Sequence, residues 1–343
     1  MTGRTTTMGA RGKVGTTLTW LRAQLGQAAW SAKELRGRGG LRAQRRVRRA
    51  MTLPALPRRR RQAGQIWAVS VVRDEADVIA KVIAHLLAQG IDHVLVADKR
   101  SHDGTRQLLE QLARDDSRVH VAVDDEPAHL QGHKISRLAY AAWRAGADWV
   151  VPFDADEFFF ARGESVGDFL RGQTADIVHV AMHHLVPEVA DSITADSAVW
   201  FDCHDSFPGK IAFRAHPLAV VAQGNHSVAR VGAATTGLYL AHAQYRGPQQ
   251  VARKIRQGAA AEALAAKAVS LRIGDHWETG ATLTDDAILD AWHALSSGRP
   301  EPRLKYLALG PVIRLRPFAW QTWDPHGEVA AARAARAAGA RDI

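Results

Sequence analysis

The stretch Val150-Val151-Pro152-Phe153-Asp154-Ala155-Asp156-Glu157-Phe158-Phe159 puts two carboxylates two residues apart at the end of an apolar run. If that run is a strand whose geometry persists, side chains at i and i+2 face the same way, so Asp154 and Asp156 could present oxygens to one cation. Hard oxygen donors of this kind suit Mg²⁺ or Mn²⁺, which commonly complete their shell with phosphate oxygens and water. A nucleoside diphosphate fits such a site, where an ion would neutralise charge building up on a departing diphosphate. Alone, the pair reads first as an acidic turn after a buried strand. The elements around it have to decide.

Ile66 to Val72 reads as a buried strand ending at Arg73-Asp74-Glu75. A helix follows, with Val78, Ile79, Val82, Ile83, Leu86 and Leu87 at helical spacing and Gly90 where a stop is expected. His93 to Ala97 is a second strand running into Asp98-Lys99-Arg100-Ser101-His102-Asp103-Gly104-Thr105, where Asp103 can cap the helix carrying Leu108, Leu109 and Leu112. Val119 to Val123 is a third strand, ending at Asp124-Asp125-Glu126; Ile135 to Ala145 is a third helix and Trp149 to Phe153 a fourth strand. Strands alternating with helices of this length indicate βαβ units and a mainly parallel sheet covered on both faces. Ligands then bind beyond the carboxyl ends of the strands, where these acids lie on one rim. After Phe160 shorter apolar pieces at 177–182, 210–213, 219–222 and 238–241 suggest a mixed or antiparallel extension, followed by helices near 249–267, 285–295 and from about 329.

In order and spacing these segments resemble the family 2 glycosyltransferases, in particular the branch whose acidic motif continues as DxDEF. The resemblance rests on Val69 to Ile79 with its Arg-Asp-Glu turn, on Asp98 to Thr105 (similar to D-x-x-S-x-D-G-T), on Gly132-His133-Lys134 opening a helix, and on Asp154 to Phe158. It covers Ile66 to about Phe160 well and Lys210 to Gly258 more loosely. It implies a GT-A type, Rossmann-like α/β sheet binding a nucleotide sugar, and sugar transfer with inversion. Carried over by position, it implies that Arg73 and Glu75 line the nucleotide pocket, that Asp98 recognises the nucleoside and that Lys134 approaches the diphosphate near a helix N-terminus. Asp154 and Asp156 would hold the Mn²⁺ or Mg²⁺ and the diphosphate, with Asp156 the more direct ligand. A carboxylate at position 98 can accept from a base N–H or sugar hydroxyls, or else cap its own turn. Glu157, next along the strand, is expected to point away, orienting a sugar hydroxyl or bracing the loop.

Related transferases often add a histidine as a further metal ligand. His226 in Gly224-Asn225-His226-Ser227 and His242, which stands with Tyr245 and Lys254 in an H-x-x-Y-x₈-K stretch, match that expectation. A direct displacement also needs a base for the acceptor hydroxyl. The expected acidic pair is not evident; Asp202 and Asp205 in Phe201-Asp202-Cys203-His204-Asp205 are the candidates.

The formal charge of +10 in 343 residues conceals an asymmetry: residues 1–62 hold 16 Lys/Arg and one acid, Glu34, while the remainder is net acidic. Such density favours solvation, and with Trp20, Leu21, Leu25 and Trp30 it also suits an anionic membrane surface, with nucleic acid the less favoured partner. The chain thus divides into a basic, partly helical or disordered extension (1–64), a nucleotide-sugar half (65–160), an acceptor half with helices (161–300) and a C-terminal extension (301–343). No stretch has the roughly 18–20 apolar residues of a membrane span, and a signal-peptide core is not expected, so the sequence suggests a cytoplasmic protein, peripheral at the inner membrane face. The single Cys203 excludes an intrachain disulfide framework and a CxxC redox site. The first strand runs into Arg-Asp-Glu instead of GxGxxG, and no P-loop occurs, which argues against dinucleotide oxidoreductases and P-loop enzymes. The expectation is a metal-dependent glycosyltransferase acting on a glycan, lipid-linked or small-molecule acceptor. The alternative is a non-catalytic nucleotide- or sugar-binding module tethered to membrane or nucleic acid by its basic segment.

Overall fold

Ile66–Val72 is the strand around which the others assemble, five of its seven residues being wholly buried valine, alanine, tryptophan, isoleucine or serine. The computed structural model describes residues 22, 24–34, 40–204, 206–269, 280–304 and 309–339. In chain order the strands are β1 (Met51–Thr52), β2 (Ile66–Val72), β3 (His93–Asp98), β4 (Val119–Asp124), β5 (Trp149–Pro152), β6 (Glu157–Ala161), β7 (Ile177–Pro187), β8 (Val199–Asp202), β9 (Ser206–Arg214), β10 (Val220–Val221), β11 (Val228–Ala229), β12 (Ala234–His242) and β13 (Val312–Leu315). The large sheet runs β1-β4-β3-β2-β5-β9-β7-β12-β6, with β8 joining β7 and β13 joining β8. β4, β3, β2 and β5 are mutually parallel. Beyond β5 the pairing is mixed: β9 is antiparallel to both β5 and β7, β12 is parallel to β7, and β6 is antiparallel to β12. The α/β architecture is the expected one, a parallel half continued by a mixed extension. A further feature is that β5 and β6 are joined by residues 153–156 alone, yet three strands lie between them in the sheet.

The helices pack where hydrophobic periodicity demands. Helix α3 (Ile79–Ala88, following α1 at 24–34 and α2 at Gly40–Ala50) turns Ile79, Val82, Ile83 and Leu86 into the core. Gly90, at φ 80°, lets the chain leave it. α4 is Thr105–Asp115, and α5, Gln131–Arg144, begins four residues before the apolar spacing predicts. Its first turn, Gln-Gly-His-Lys, has no apolar residue to announce it, but Gly132 passes so close to β10 that an added Cβ would meet the Val221 carbonyl oxygen at 2.6 Å. α6 (Val166–Gly172) follows β6, and α7 (Pro248–Val269) crosses the carboxyl rim of the parallel strands.

The described part of the basic segment is packed against the sheet domain. In α1, Gln27 is buried; its side-chain amide donates to the Ala229 carbonyl at 2.7 Å and its oxygen accepts from Val231 N at 2.6 Å. α2 buries Ala43 and Val47, and Arg46 makes two bonds to Glu126, at 3.0 and 2.9 Å. β1 then adds antiparallel to β4, and Arg59 N donates to the Arg144 carbonyl at 3.0 Å. Among the described residues no helix is long and apolar enough to cross a membrane.

Candidate active site

The site begins where β2 and β3 end. Asp74 takes up left-handed backbone (φ 54°), its N–H donating to Ser101 Oγ at 2.9 Å and its Oδ1 accepting from His102 N at 2.6 Å. Glu75 N donates to Thr105 Oγ1 and Ala76 N to Asp103 Oδ2, at 2.8 and 3.1 Å. Asp103 Oδ1 also accepts from Thr105 N at 3.0 Å, but it does so from one residue before Gly104, which takes the N-cap position of the helix in place of the expected Asp103. The polar residues of the second motif therefore fasten the first turn in place. Asp98, almost fully buried, keeps only long contacts on Oδ2, 3.5 Å to Ser101 N and 3.8 Å to Arg106. Its Oδ1 is buried without a hydrogen-bond partner among the described residues.

A cleft opens between this rim and α7, lined by Arg73, Glu75, Lys99, Gln131, Lys134, Arg253 and Lys254, among others. Lys134 lies where the sequence places it, near the N-terminus of α5. Its ammonium, however, is held internally by Asp124 at 2.6 Å and the Glu126 carbonyl at 2.6 Å, and burial pushes its pKa down. Lys99, which motif reasoning passes over, is pushed down to about 7 by burial and by the neighbouring Lys134.

At the end of β5 the expectation of two carboxylates on one face fails for a local reason. The strand stops at Pro152 and the chain turns at Ala155–Asp156, so the alternation on which the pairing depends is broken. Asp154 Oδ1 accepts from Gln131 at 2.8 Å and from Asn225 at 3.1 Å, while Oδ2 accepts from Lys210 at 2.6 Å. Glu157 does brace the loop, accepting from Asp154 N at 2.9 Å, but it does not point away: it shares Lys210 at 3.0 Å. Asp156 faces a different set of groups. Its Oδ2 meets Lys254 and Arg246, and its Oδ1 lies 3.4 Å from His242 Nε2. Burial pushes the Asp156 carboxyl up, but Lys254, His242 and Arg246 together outweigh it and hold the group well below the ordinary carboxylate range. Arg246, wholly buried, also pairs with Glu75 and with Asp77 at 2.6 Å, tying the first turn to the acidic turn. Nothing local in the sequence marks Arg246 or Lys210. Lys254 was visible only as the last residue of the H-x-x-Y-x₈-K stretch.

The histidines divide. His242, beside Asp156, also lies with its Nδ1 3.2 Å from His184 Nδ1. His226 is 2.7 Å from the Gly209 carbonyl through Nδ1, and its ring packs beside Gly224. Among the described residues no three His, Cys, Asp or Glu side chains converge as a metal cage. The donor pair Asp156–His242 nevertheless fits a divalent ion of the kind that takes one or two protein ligands and completes its shell with phosphate and water. Asp154 and His226 lie with other partners, Asp154 with Gln131, Asn225 and Lys210 and His226 with the Gly209 carbonyl.

Asp202 is not placed to be a base. It is buried at the end of β8, where Oδ1 accepts from His204 N at 2.9 Å and Gly310 N at 3.0 Å and Oδ2 from Leu309 N at 2.9 Å. It fastens the β8 and β13 ends together. Asp205 lies outside the described residues.

Residues 68–178 match the family model described as Glycosyl transferase family 2. No curated protein matches the chain. Among solved structures, a mannosyltransferase, PcManGT from Pyrobaculum calidifontis in complex with GDP-Man and Mn²⁺, is 15% identical, with 80% of this chain and 85% of that chain covered and a TM-score of 0.34. The family match ends at the start of β7, so the segment that resembles family 2 glycosyltransferases spans the parallel strands, the turns after β2 and β3, and the acidic turn after β5.

Proposed function

We propose that this enzyme takes a sugar from a nucleotide-diphosphate donor bound in the α7 cleft and passes it, with inversion, to a hydroxyl of a glycan, lipid-linked or small-molecule acceptor. The observation that carries the reading is Asp156, buried between Lys254 and Arg246 beside a cleft whose wall carries Arg73, Lys99 and Arg253. Those cations suit a diphosphate: charge-assisted hydrogen bonds hold it before bond cleavage and gain strength as negative charge grows on the leaving oxygens. The unpartnered Oδ1 of Asp98 leaves an acceptor for a base N–H or a ribose hydroxyl. Arg246, by holding Glu75, Asp77 and Asp156 together, fixes the two turns between which the donor sits. A Mn²⁺ or Mg²⁺ ion, which supplies neutralisation of diphosphate charge when bound, would be held by Asp156 and His242.

The test is donor hydrolysis and transfer measured over a panel of nucleotide sugars with Mn²⁺ present, alongside binding of the free nucleoside diphosphates. Turnover is expected, and Asp156→Asn should abolish both it and the Mn²⁺-dependent rise in melting temperature caused by the diphosphate. Nucleotide affinity without hydrolysis or transfer of any donor would leave the binding-module reading standing in its place. The reading also includes association with an anionic membrane surface through the basic segment.

A further inference from the structure

On the flank of α5, away from the donor cleft, the N-terminal segment closes over a cavity of about 600 Å³. The volume is within the range of sites that hold small organic ligands, roughly 300–1,000 Å³. Its wall divides by chemistry. Val47, Leu53, Leu56, Leu218 and Val220 are apolar, and Arg48, Arg58, Arg137 and Arg144 stand among them with no acidic residue in the lining. Among the described residues none of these four arginines has a carboxylate partner in an ion pair. Arg137 gives one nitrogen to the Met51 carbonyl at 3.1 Å, while its Nε is buried with no hydrogen-bond partner. Both Arg48 and Arg137 line the cavity, and burial and then the charge of Arg48 disfavour the Arg137 cation. An anion placed there would relieve that repulsion and complete the hydrogen bonding.

The surroundings narrow the kind of anion. Arg42, Arg45 and Arg49 on α2, Arg22 and Lys33 on and just before α1, and Arg59 and Arg60 beyond β1 are all exposed. The same two helices carry exposed Leu25 (71%), Leu41 (65%) and Trp30 (40%). A basic surface bearing apolar and indole side chains suits the interface of an anionic bilayer, where the charges meet headgroups and the apolar groups enter the acyl boundary. We propose that α1, α2 and the outer flank of α5 form a docking surface for an anionic phospholipid bilayer, and that the cavity seats one lipid, with its phosphate among Arg48, Arg58, Arg137 and Arg144 and its upper chain against the leucines. This inference extends the membrane part of the proposed function, and it stands or falls separately from the transfer chemistry because no cleft residue takes part in it.

The experiment is co-sedimentation of the full chain with phosphatidylcholine vesicles, with and without phosphatidylglycerol, combined with native mass spectrometry of protein recovered from the anionic vesicles. Two triple variants remove the same charge: Arg48→Gln/Arg58→Gln/Arg144→Gln in the cavity, and Arg114→Gln/Arg299→Gln/Arg336→Gln at exposed positions elsewhere. Thermal unfolding midpoints establish that both are folded, and Tyr140→Glu, at a half-exposed lining position, puts a carboxylate in the cavity wall without removing an arginine. Binding that requires phosphatidylglycerol is expected, with one lipid retained by the native chain. The cavity triple should weaken that binding on the order of a hundredfold and retain no lipid, Tyr140→Glu should act in the same direction, and the control triple should behave like the native chain. Equal weakening by both triples, indifference to lipid charge, or displacement from vesicles by an RNA oligonucleotide whose binding shows the same arginine dependence would each overturn the proposal.

Discussion

Lys99 carries a consequence out of proportion to its place in the motifs. With its pKa pushed down to about 7 by burial and Lys134, it is only partly charged at neutral pH in the empty cleft. A diphosphate favours the charged form, so binding takes up a proton. Nucleoside diphosphate affinity should therefore be flat below about pH 7 and fall above it, by up to about tenfold per unit. Lys99→Met should weaken binding by roughly ten- to a hundredfold at pH 6 and remove the slope, which titration calorimetry across pH reads directly. Asp202 makes the opposite prediction. Three backbone N–H groups occupy its carboxylate, so Asp202→Ala should cost about 1–3 kcal/mol of unfolding free energy while leaving kcat unchanged. A collapse of kcat with full stability would restore it as the base.

At the scale of elements, the parallel half was legible because its signals are local. Val82, Ile83 and Leu86 announce a helix by spacing, and Ile66 to Val72 announces a buried strand by composition. The beginning of α5 was marked only by the resemblance carried by Gly132-His133-Lys134 and not by apolar spacing, because its first turn is held by what packs on it: Gly132 under β10, Lys134 on Asp124. Gly132→Ala should accordingly destabilise by about 1–3 kcal/mol, where a helix-propensity argument alone predicts a gain, and chemical denaturation decides the sign. The acidic turn was legible in residue type and misread in geometry. Alternation holds only while a strand lasts, and β5 ends before Asp154. Arg246 and Lys210, which divide the carboxylates between them, come from positions far along the chain, and no spacing rule connects them to residues 154–157.

For the whole molecule, charge is distributed by tethering more than by repulsion. The composition of residues 1–62 suggests a solvated tail, yet Gln27, Ala43, Val47 and Arg46 bind its described part to the body, because a few buried contacts outweigh exposed arginines that remain free to face water. Stability should also be sensitive to acid. His85, 2.7 Å from the Phe159 carbonyl, is pushed down to about 4 by burial, and His120 to about 4 by burial and then His93. Because these folded values lie below the unfolded one, their contribution is complete above about pH 6.5 and is lost as pH falls towards 4. His85 should give a slope of about 1.4 kcal/mol per pH unit, and His85→Gln should flatten that part of a denaturation series.

The four residues linking β5 to β6 set a limit on shape. Four strand-to-strand gaps separate the two in the sheet, about 19 Å if the sheet were flat, while five Cα steps reach at most about 18 Å even when straight. The bend at Ala155–Asp156 shortens that reach further. The acidic segment is thus a bowstring and β9, β7 and β12 are the bow: its length dictates how tightly the mixed half must curl, and that curl brings Lys210 of β9 onto Asp154 and Glu157.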